Sequence, residues 1–454
     1  PRSTPLYSSA ASDVYKRQVL SQDKNSLTVC FDFSDALFTS NKTLIVDPEP
    51  DLHWATYYGD TLTDIGTAII TDNYGYVYAT GITQSYTTLA TSGVHQDTLA
   101  GGFCDVYVTK FQQNAVRLWS TYYGGTGWEE SRSIIVDTLQ KVTITGFTNS
   151  PDGIASDSAY QQNLNAGTID AFVAKFDENG LRVWSTYFGG EGEDYGNGID
   201  ADFDGFLYVT GSTLNSTYGI SSLGSFQTSS NGMTDAFILK IDPLGFPIWS
   251  TYFGGSGDDV GHAISEEGGS IFVTGKTQSV DLITTIGAHQ ATYSGNQDAF
   301  VVGFSSVGNL NWSTFFGGSE NESGNDIEIF NSRIYCIGET QSSSQIADAG
   351  AWSENLSGTQ DAYITRFDLS GVKVWSTYYG SSGVETGVGI SMEFDGGVYI
   401  TGSTNSDSLG SADVYDSTYN GATDMYLAKL NEFGFGMWCT YFGGPDEDIV
   451  AGLD

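Results

Sequence analysis

Seven times the chain returns to one short string, a tryptophan followed by small and aromatic residues and a glycine. The copies are Trp54-Ala-Thr-Tyr-Tyr58-Gly59, Trp119-Ser-Thr-Tyr-Tyr123-Gly124 and Trp184-Ser-Thr-Tyr-Phe188-Gly189, and the string recurs from Trp249, Trp312, Trp375 and Trp438. The tryptophans stand 65 residues apart for three steps and 63 for the next three. A fixed period of this size means that one supersecondary unit is copied along the chain. Each copy is too small to bury its apolar faces alone and must stack on its neighbours. Nearly all of the 454 residues therefore belong to one array.

One copy, Gly189 to Gly254, reads as four strands, here named A to D. An acidic loop, Glu191 to Gly196, leads into strand A around Ile199. An Asp204-Gly205 turn follows, a strong hairpin signal between two apolar runs, and then strand B, Phe206 to Gly211. After a loop of about 20 residues, of the length that carries variable surface, strand C runs from Asp235 to Ile241. A Pro243-Leu-Gly245 turn then delivers the Trp249 strand, D. In strand C of another copy, Phe172, Ala174 and Phe176 fall on one face and Ala171 and Val173 on the other. A sheet apolar on both faces must be covered on both. A β-solenoid coil is far shorter than this period, and a sandwich needs about 100 residues. The expected fold is all-β, a β-propeller of four-stranded antiparallel blades packed radially on one another. Abundant glycine (57), scarce proline (8) and 14% aromatic residues suit many short strands and tight turns.

Three strings recur in phase: Asp170-Ala-Phe-Val-Ala-Lys175-Phe, Trp184-Ser-Thr-Tyr-Phe-Gly-Gly190 and Tyr208-Val-Thr-Gly211-Ser-Thr213. They resemble the SBBP repeat, a bacterial β-propeller repeat, and Leu44-Ile-Val-Asp47-Pro48 is similar to the segment that precedes the first such repeat. The resemblance covers roughly residues 44–454. It implies a seven-bladed propeller of secreted or surface bacterial proteins and no established catalytic activity. Counting strands gives six complete A–D sets between Asp64 and Gly444, an orphan D strand at 54–59 and an orphan A strand at 448–453. Six full blades and a partial seventh are expected, with residues 51–454 forming an array that stops inside its last repeat. Residues 1–18 match nothing downstream and read as a non-native leader; 19–50 read as the end of an upstream β segment.

Lys plus Arg number 17 against 55 Asp plus Glu, a net charge of −38. Such a surface repels nucleic acid and anionic membranes, and no apolar run approaches the ~18 residues that span a bilayer. Cys30, Cys104, Cys336 and Cys439 show no metal or CxxC spacing and read as small core residues.

Ten residues after each motif tryptophan sits an acid: Asp64, Glu129, Asp194, Asp259, Glu322, Glu385 and Asp448. The preferred reading is structural: each accepts loop N–H bonds or pairs with the strand-C cation found in five repeats (Lys110, Lys175, Lys240, Arg366, Lys429). The functional alternative is a cation-attracting rim. The Gly-x-x-Asp pairs from Gly102/Asp105 to Gly421/Asp424 read as turns in which Asp bonds its own backbone. Asp200-Ala-Asp202-Phe-Asp204-Gly205 matches the spacing of a Ca²⁺ loop, yet the twelfth position is Gly211, so it is no EF-hand. The motif tryptophans read as core, and His95 and His289 occupy the slot of a packing aromatic in the B–C loops.

No G-x-S-x-G, H-E-x-x-H or P-loop is present. The chain is expected to be a non-catalytic extracellular scaffold or binding and adhesion module of a larger secreted or surface protein. It needs no cofactor beyond a candidate Ca²⁺, and its variable B–C loops would contact a cell-surface glycan or protein. Two alternatives stand beside this: a carbohydrate-active enzyme using acids in the funnel, whose carboxylate pair sequence does not locate, and a calcium-stabilised adhesin.

Overall fold

The structure, a computed structural model, describes residues 52–454 except 87–88, 166–167, 215–218, 395 and 413, and the backbone of two strands before them. Those two, β1 (Lys16–Gln22) and β2 (Leu27–Asp32), pair with each other alone. The rest of the leader expected over 1–18 and of the segment 19–50, including Leu44–Pro48, lies outside the described residues, as does Gly167.

The first blade is β3 (Asp64–Thr71), β4 (Val77–Thr83), β5 (Asp105–Phe111) and β6 (Arg117–Tyr123), an antiparallel sheet in chain order. These are strands A to D. Blades 2 to 6 repeat the order over residues 129–188, 193–253, 259–316, 322–379 and 389–442. A register irregularity two residues into strand A recurs in blades 1 to 5, for instance between Gly196 and Gly198. Such a bulge adds local twist. Every position of strand C in blades 1 and 2 is buried, as an apolar pattern on both faces demands. Five hydrophobic clusters hold the core, one at each junction of successive blades. Each fully buried Val, Leu, Ile or Phe side chain in them contributes about 1.5–3 kcal/mol.

The expectation of a partial seventh blade is corrected. The described array has six four-stranded sheets, and neither 54–59 nor 448–453 forms a strand. A strand exists through its ladder, and these segments have no B or C strand beside them to complete one.

Neighbouring blades are tied by a repeated polar joint. The indole Nε1 of Trp119, Trp184, Trp249, Trp312 and Trp375 donates to the carbonyl of Glu178, Pro243, Ser306, Leu369 and Glu432 in the C–D turn of the following blade. The glycine of that turn has positive φ and lies flat against the ring. A Cβ on Gly245 (φ 95°), for example, would meet Trp184 at 2.8 Å. Only glycine fits both the left-handed backbone and the close approach. The tryptophans are core, and they are also the bolts between blades.

Candidate functional site

The residues that recur in every blade build the frame. Glu129 is fully buried and accepts from Gly125 N (2.9 Å), Thr148 Oγ1 (2.6 Å) and Ser150 Oγ (2.5 Å). Asp194, Asp259, Glu322 and Glu385 are equally buried, and each accepts from the same D–A loop N–H. Asp64 and Asp448 bond the corresponding N–H of Asp60 and Gly444. All seven carboxylates fasten loops; five are buried and face no solvent, and Asp64 and Asp448 are half-buried. The strand-C cations do not pair with them. Lys175 reaches Asp137 at 3.0 Å and Lys429 reaches Glu393 at 2.9 Å, both in the A–B turn, while Lys110 and Lys240 lie over the rings of Tyr76 and Phe206. An acid at the far end of strand A is out of their reach.

Asp105, Asp170, Asp235, Asp298, Asp361 and Asp424 accept backbone N–H bonds at the start of strand C. Each lies close to the strand-A acid of the next repeat. The glycine between them, Gly189 in one copy, would place a Cβ 2.6 Å from Asp194 and 2.7 Å from Asp170. Burial, reinforced by the Asp194 charge, pushes Asp170 up to about 7, and Asp105 likewise beside Glu129. Oδ1 of both is buried without a partner.

The Asp200–Asp204 loop does not gather its carboxylates. Asp200 faces the funnel and accepts from Ala201 N and from Glu266 N of the next blade. Asp202 accepts from Asp204 N, Phe206 N and the Tyr208 hydroxyl, as Asp72 does in the first blade, and Asp204 is exposed at the turn. Strand A ends at Ala201, so Asp200 is held on the strand while Asp202 caps the turn and Asp204 lies exposed in it, and the three side chains do not converge. Among the described residues no group of three or more His, Cys, Asp or Glu is placed to hold a metal. Cys104, Cys336 and Cys439 are buried thiols; the Cys30 side chain lies outside the described residues.

The inner strands enclose a funnel. Its interior, a cavity of about 560 Å³, carries Asp200, Glu266, Asp326, Glu328 and Asp454. Asp326 accepts from Ile327 N and Ile390 N, Glu266 from Gly269 N, and Asp454 from Thr71 N. Glu328 differs: burial and the surrounding acids Asp200, Asp326 and Asp454 raise its carboxyl well above the usual range.

The mouth, about 920 Å³, opens on the face that carries the B–C loops and the strand-A starts. Here the blades depart from one another. Trp128 packs edge-on against Phe147 at 5.2 Å, and Phe147 against Tyr195 at 5.1 Å. The Arg132 guanidinium lies over Phe147 (4.8 Å) and Tyr195 (5.4 Å), held by Glu130 (3.3 Å) and Asn197. Trp128 Nε1 is buried without an acceptor. His262, kept neutral by burial with its pKa lowered to about 4, bonds Gly324 O through Nδ1, and Lys276 completes the wall. The sequence reading passed over this cluster because it compared repeats for what they share. At the position of Trp128 the other repeats carry Thr63, Glu193, Asp258, Asn321, Val384 and Glu447, and at that of Arg132 they carry Thr67, Asn197, His262, Asn325, Val388 and Ala451. That divergence is the signal.

Two stretches of the chain, 183–218 and 374–410, match the SBBP family, described as a beta-propeller repeat. An uncharacterized WD repeat-containing protein of Acanthamoeba polyphaga mimivirus is 23% identical over 78% of this chain and 26% of its own length. The regulatory protein FlaEY of Caulobacter vibrioides is 22% identical over 73% of this chain and 37% of its own. The chain thus spans 26% and 37% of the length of these two relatives. Among solved structures, a Synechocystis apocarotenoid oxygenase mutant superposes with a TM-score of 0.38 at 12% identity, over 85% of this chain and 82% of that one. Virginiamycin B lyase from Staphylococcus aureus gives 0.38 at 9%, over 83% and 95%. Likeness at that level carries no argument about chemistry. The six radial sheets and the two matched stretches agree on one statement: the chain is a β-propeller repeat protein.

Proposed function

We propose that the chain is a non-catalytic binding module of a larger secreted or surface protein, and that its ligand is a cell-surface glycan seated at the funnel mouth. The observation that carries this reading is the Trp128–Phe147–Tyr195–Arg132 cluster. The half-buried Trp128 and Tyr195, resting on the buried Phe147, offer aromatic surface to the apolar face of a sugar ring, and the Arg132 guanidinium beside them adds a charge-assisted donor for a carboxylated sugar. The Trp128 indole N–H is already desolvated and needs only an acceptor. The B–C loops surround this face, so blade-to-blade variation in them tunes what fits. Binding of the full chain to an array of acidic and neutral glycans tests the proposal. An acidic glycan is expected to bind and to be lost in Trp128→Ala and Arg132→Ala; binding that survives both variants refutes it.

A second reading, a carbohydrate-active enzyme, is favoured by Glu328, whose raised carboxyl suits a general acid. Against it, the other acids lining the funnel interior each accept a backbone N–H. That leaves Glu328 without an uncommitted second carboxylate for glycoside chemistry. Hydrolysis of a bound glycan that disappears in Glu328→Gln would establish the enzyme.

A further inference from the structure

Of the five strand-C cations, four have a polar partner, and the exception lines a pocket. Lys175 reaches Asp137 at 3.0 Å and Lys429 reaches Glu393 at 2.9 Å. Lys110 donates to Gln140 Oε1 at 2.8 Å and Lys240 to the carbonyl of Ser306 at 3.3 Å. Arg366 of blade 5 makes no hydrogen bond or ion pair among the described residues. Its Nε is buried without an acceptor, and its guanidinium carbon lies 5.8 Å from the centre of the Tyr335 ring. The sequence supplies the reason. Eight residues after the strand-A acid the other blades carry Asp72, Asp137, Asp202, Glu267 and Glu393, and blade 5 carries Phe330. The acids nearby are spent elsewhere, Asp348 on Lys373 at 2.9 Å and Glu432 on Arg333 at 3.1 Å. A charged donor held away from water with no acceptor is costly, and an arriving anion relieves that cost.

Arg366 lines a cavity of about 470 Å³ between blades 5 and 6. A second departure from the repeat opens it. At three other junctions the aromatic of the B–C loop packs on the phenylalanine that ends strand C of the next blade: His95 on Phe176 at 6.0 Å, Phe226 on Phe304 at 5.9 Å and His289 on Phe367 at 6.0 Å. Here that position is the smaller Leu430, and Trp352 instead meets Phe435 of the C–D turn edge-on at 6.4 Å. Trp352, Phe433 and Phe435 remain 53%, 62% and 41% exposed. Both hydroxyls in the wall are committed: Ser376 Oγ donates to Ile346 O and accepts from Lys373, and Thr377 Oγ1 donates to Ser353 O and accepts from Ser353 N. What the wall offers is aromatic surface beside one guanidinium that nothing neutralises, with no free hydroxyl to read a sugar.

We propose that this pocket binds a small aromatic carboxylate. Its carboxylate sits on the Arg366 fork in place of the acid that blade 5 lacks, and its ring lies between Trp352 and the Phe433–Phe435 turn. A cavity of this size, mostly apolar with few placed polar groups, is the common form of a small-molecule site. In a chain of net charge −38 the unneutralised arginine gives an anion a local point of attraction. The pocket shares no residue with the funnel mouth and does not rest on the glycan reading.

The probe is 2-naphthoate, titrated by calorimetry into the full chain beside its neutral amide, 2-naphthamide, and an aliphatic acid, octanoate. One naphthoate is expected to bind per chain, at least tenfold tighter than either comparison compound. Arg366→Met is expected to weaken it more than tenfold. Arg366→Lys, which restores the residue of the other blades, is expected to weaken it several-fold, because an ammonium lacks the planar fork. Phe433→Ser, at an exposed turn position, is expected to cost several-fold in affinity while the unliganded chain keeps its melting temperature. Arg132→Ala is expected to leave naphthoate binding unchanged, which separates this pocket from the mouth. Absence of saturable binding overturns the proposal, as does octanoate or the amide binding as tightly as naphthoate. So does an affinity that survives Arg366→Met, or, where that variant does not fold, one that survives Phe433→Ser.

Discussion

Replacing Asp170 by Asn is expected to make the protein's stability less dependent on pH, and the effect follows from where that carboxyl sits. Asp170 is fully buried beside Asp194; its Oδ2 accepts from Asn165 N and Gln161 Nε2, and its Oδ1 has no partner. Burial raises its pKa from 3.8 to about 7. The folded chain therefore keeps this proton up to about pH 7, while the unfolded chain has released it by about pH 4. Between those values the native state binds the extra proton, so stability falls as pH rises, by at most about 1.4 kcal/mol per pH unit for one such group. An asparagine cannot ionise and keeps the size and the acceptor. Urea unfolding of both proteins from pH 4 to 8 is the assay, with the variant-minus-wild-type difference cancelling the general repulsion of a chain of net charge −38. The variant is expected to gain steadily on the wild type as pH rises toward 7. A difference that stays constant across the range refutes the argument.

Glu129→Ala strands one N–H and two hydroxyls in a buried loop; at about 1–3 kcal/mol for each unsatisfied donor, a loss of several kcal/mol is expected in denaturant unfolding. Trp249→Phe keeps most of the ring burial but deletes one donor to Ser306 O, which still accepts from Lys240 Nζ, and a loss of about 0.5–1.5 kcal/mol is expected, with blades 3 and 4 gaining amide exchange first. Because the Asp200–Asp204 carboxylates point apart, the melting temperature is expected to be the same with and without a chelator; a drop of several degrees would show a cation bound to the native state.

The architecture was legible in the sequence because it is written seven times. The order of strands A to D, the Asp-Gly turn at Asp204–Gly205 and the double-faced strand C at Asp170–Phe176 all follow from local patterning. The partial blade was misjudged because pattern alone marks 54–59 and 448–453 as strand-like, while a strand also needs a partner that the pattern does not supply. The pairing of strand-A acids with strand-C lysines failed for a similar reason. Sequence places both in one blade, but the antiparallel register puts Lys175 opposite Thr143, toward the Asp137 turn and away from Glu129. The indole-to-turn joint of Trp119 and Glu178 was hidden because it crosses between repeats. The mouth cluster was hidden because Trp128 and Arg132 are exceptions to the repeat, and a search for recurrence averages exceptions away.

The claim beneath all of this is that the repeats stack around a common axis, each blade covering its neighbours' apolar faces. Small-angle X-ray scattering of the monodisperse chain tests it most directly. A compact particle of this length has a radius of gyration of about 22 Å, and the account predicts a value close to that, with a scattering profile that shows a central depression in density. A radius near twice that value, with the profile of a rod or of beads on a string, would contradict it.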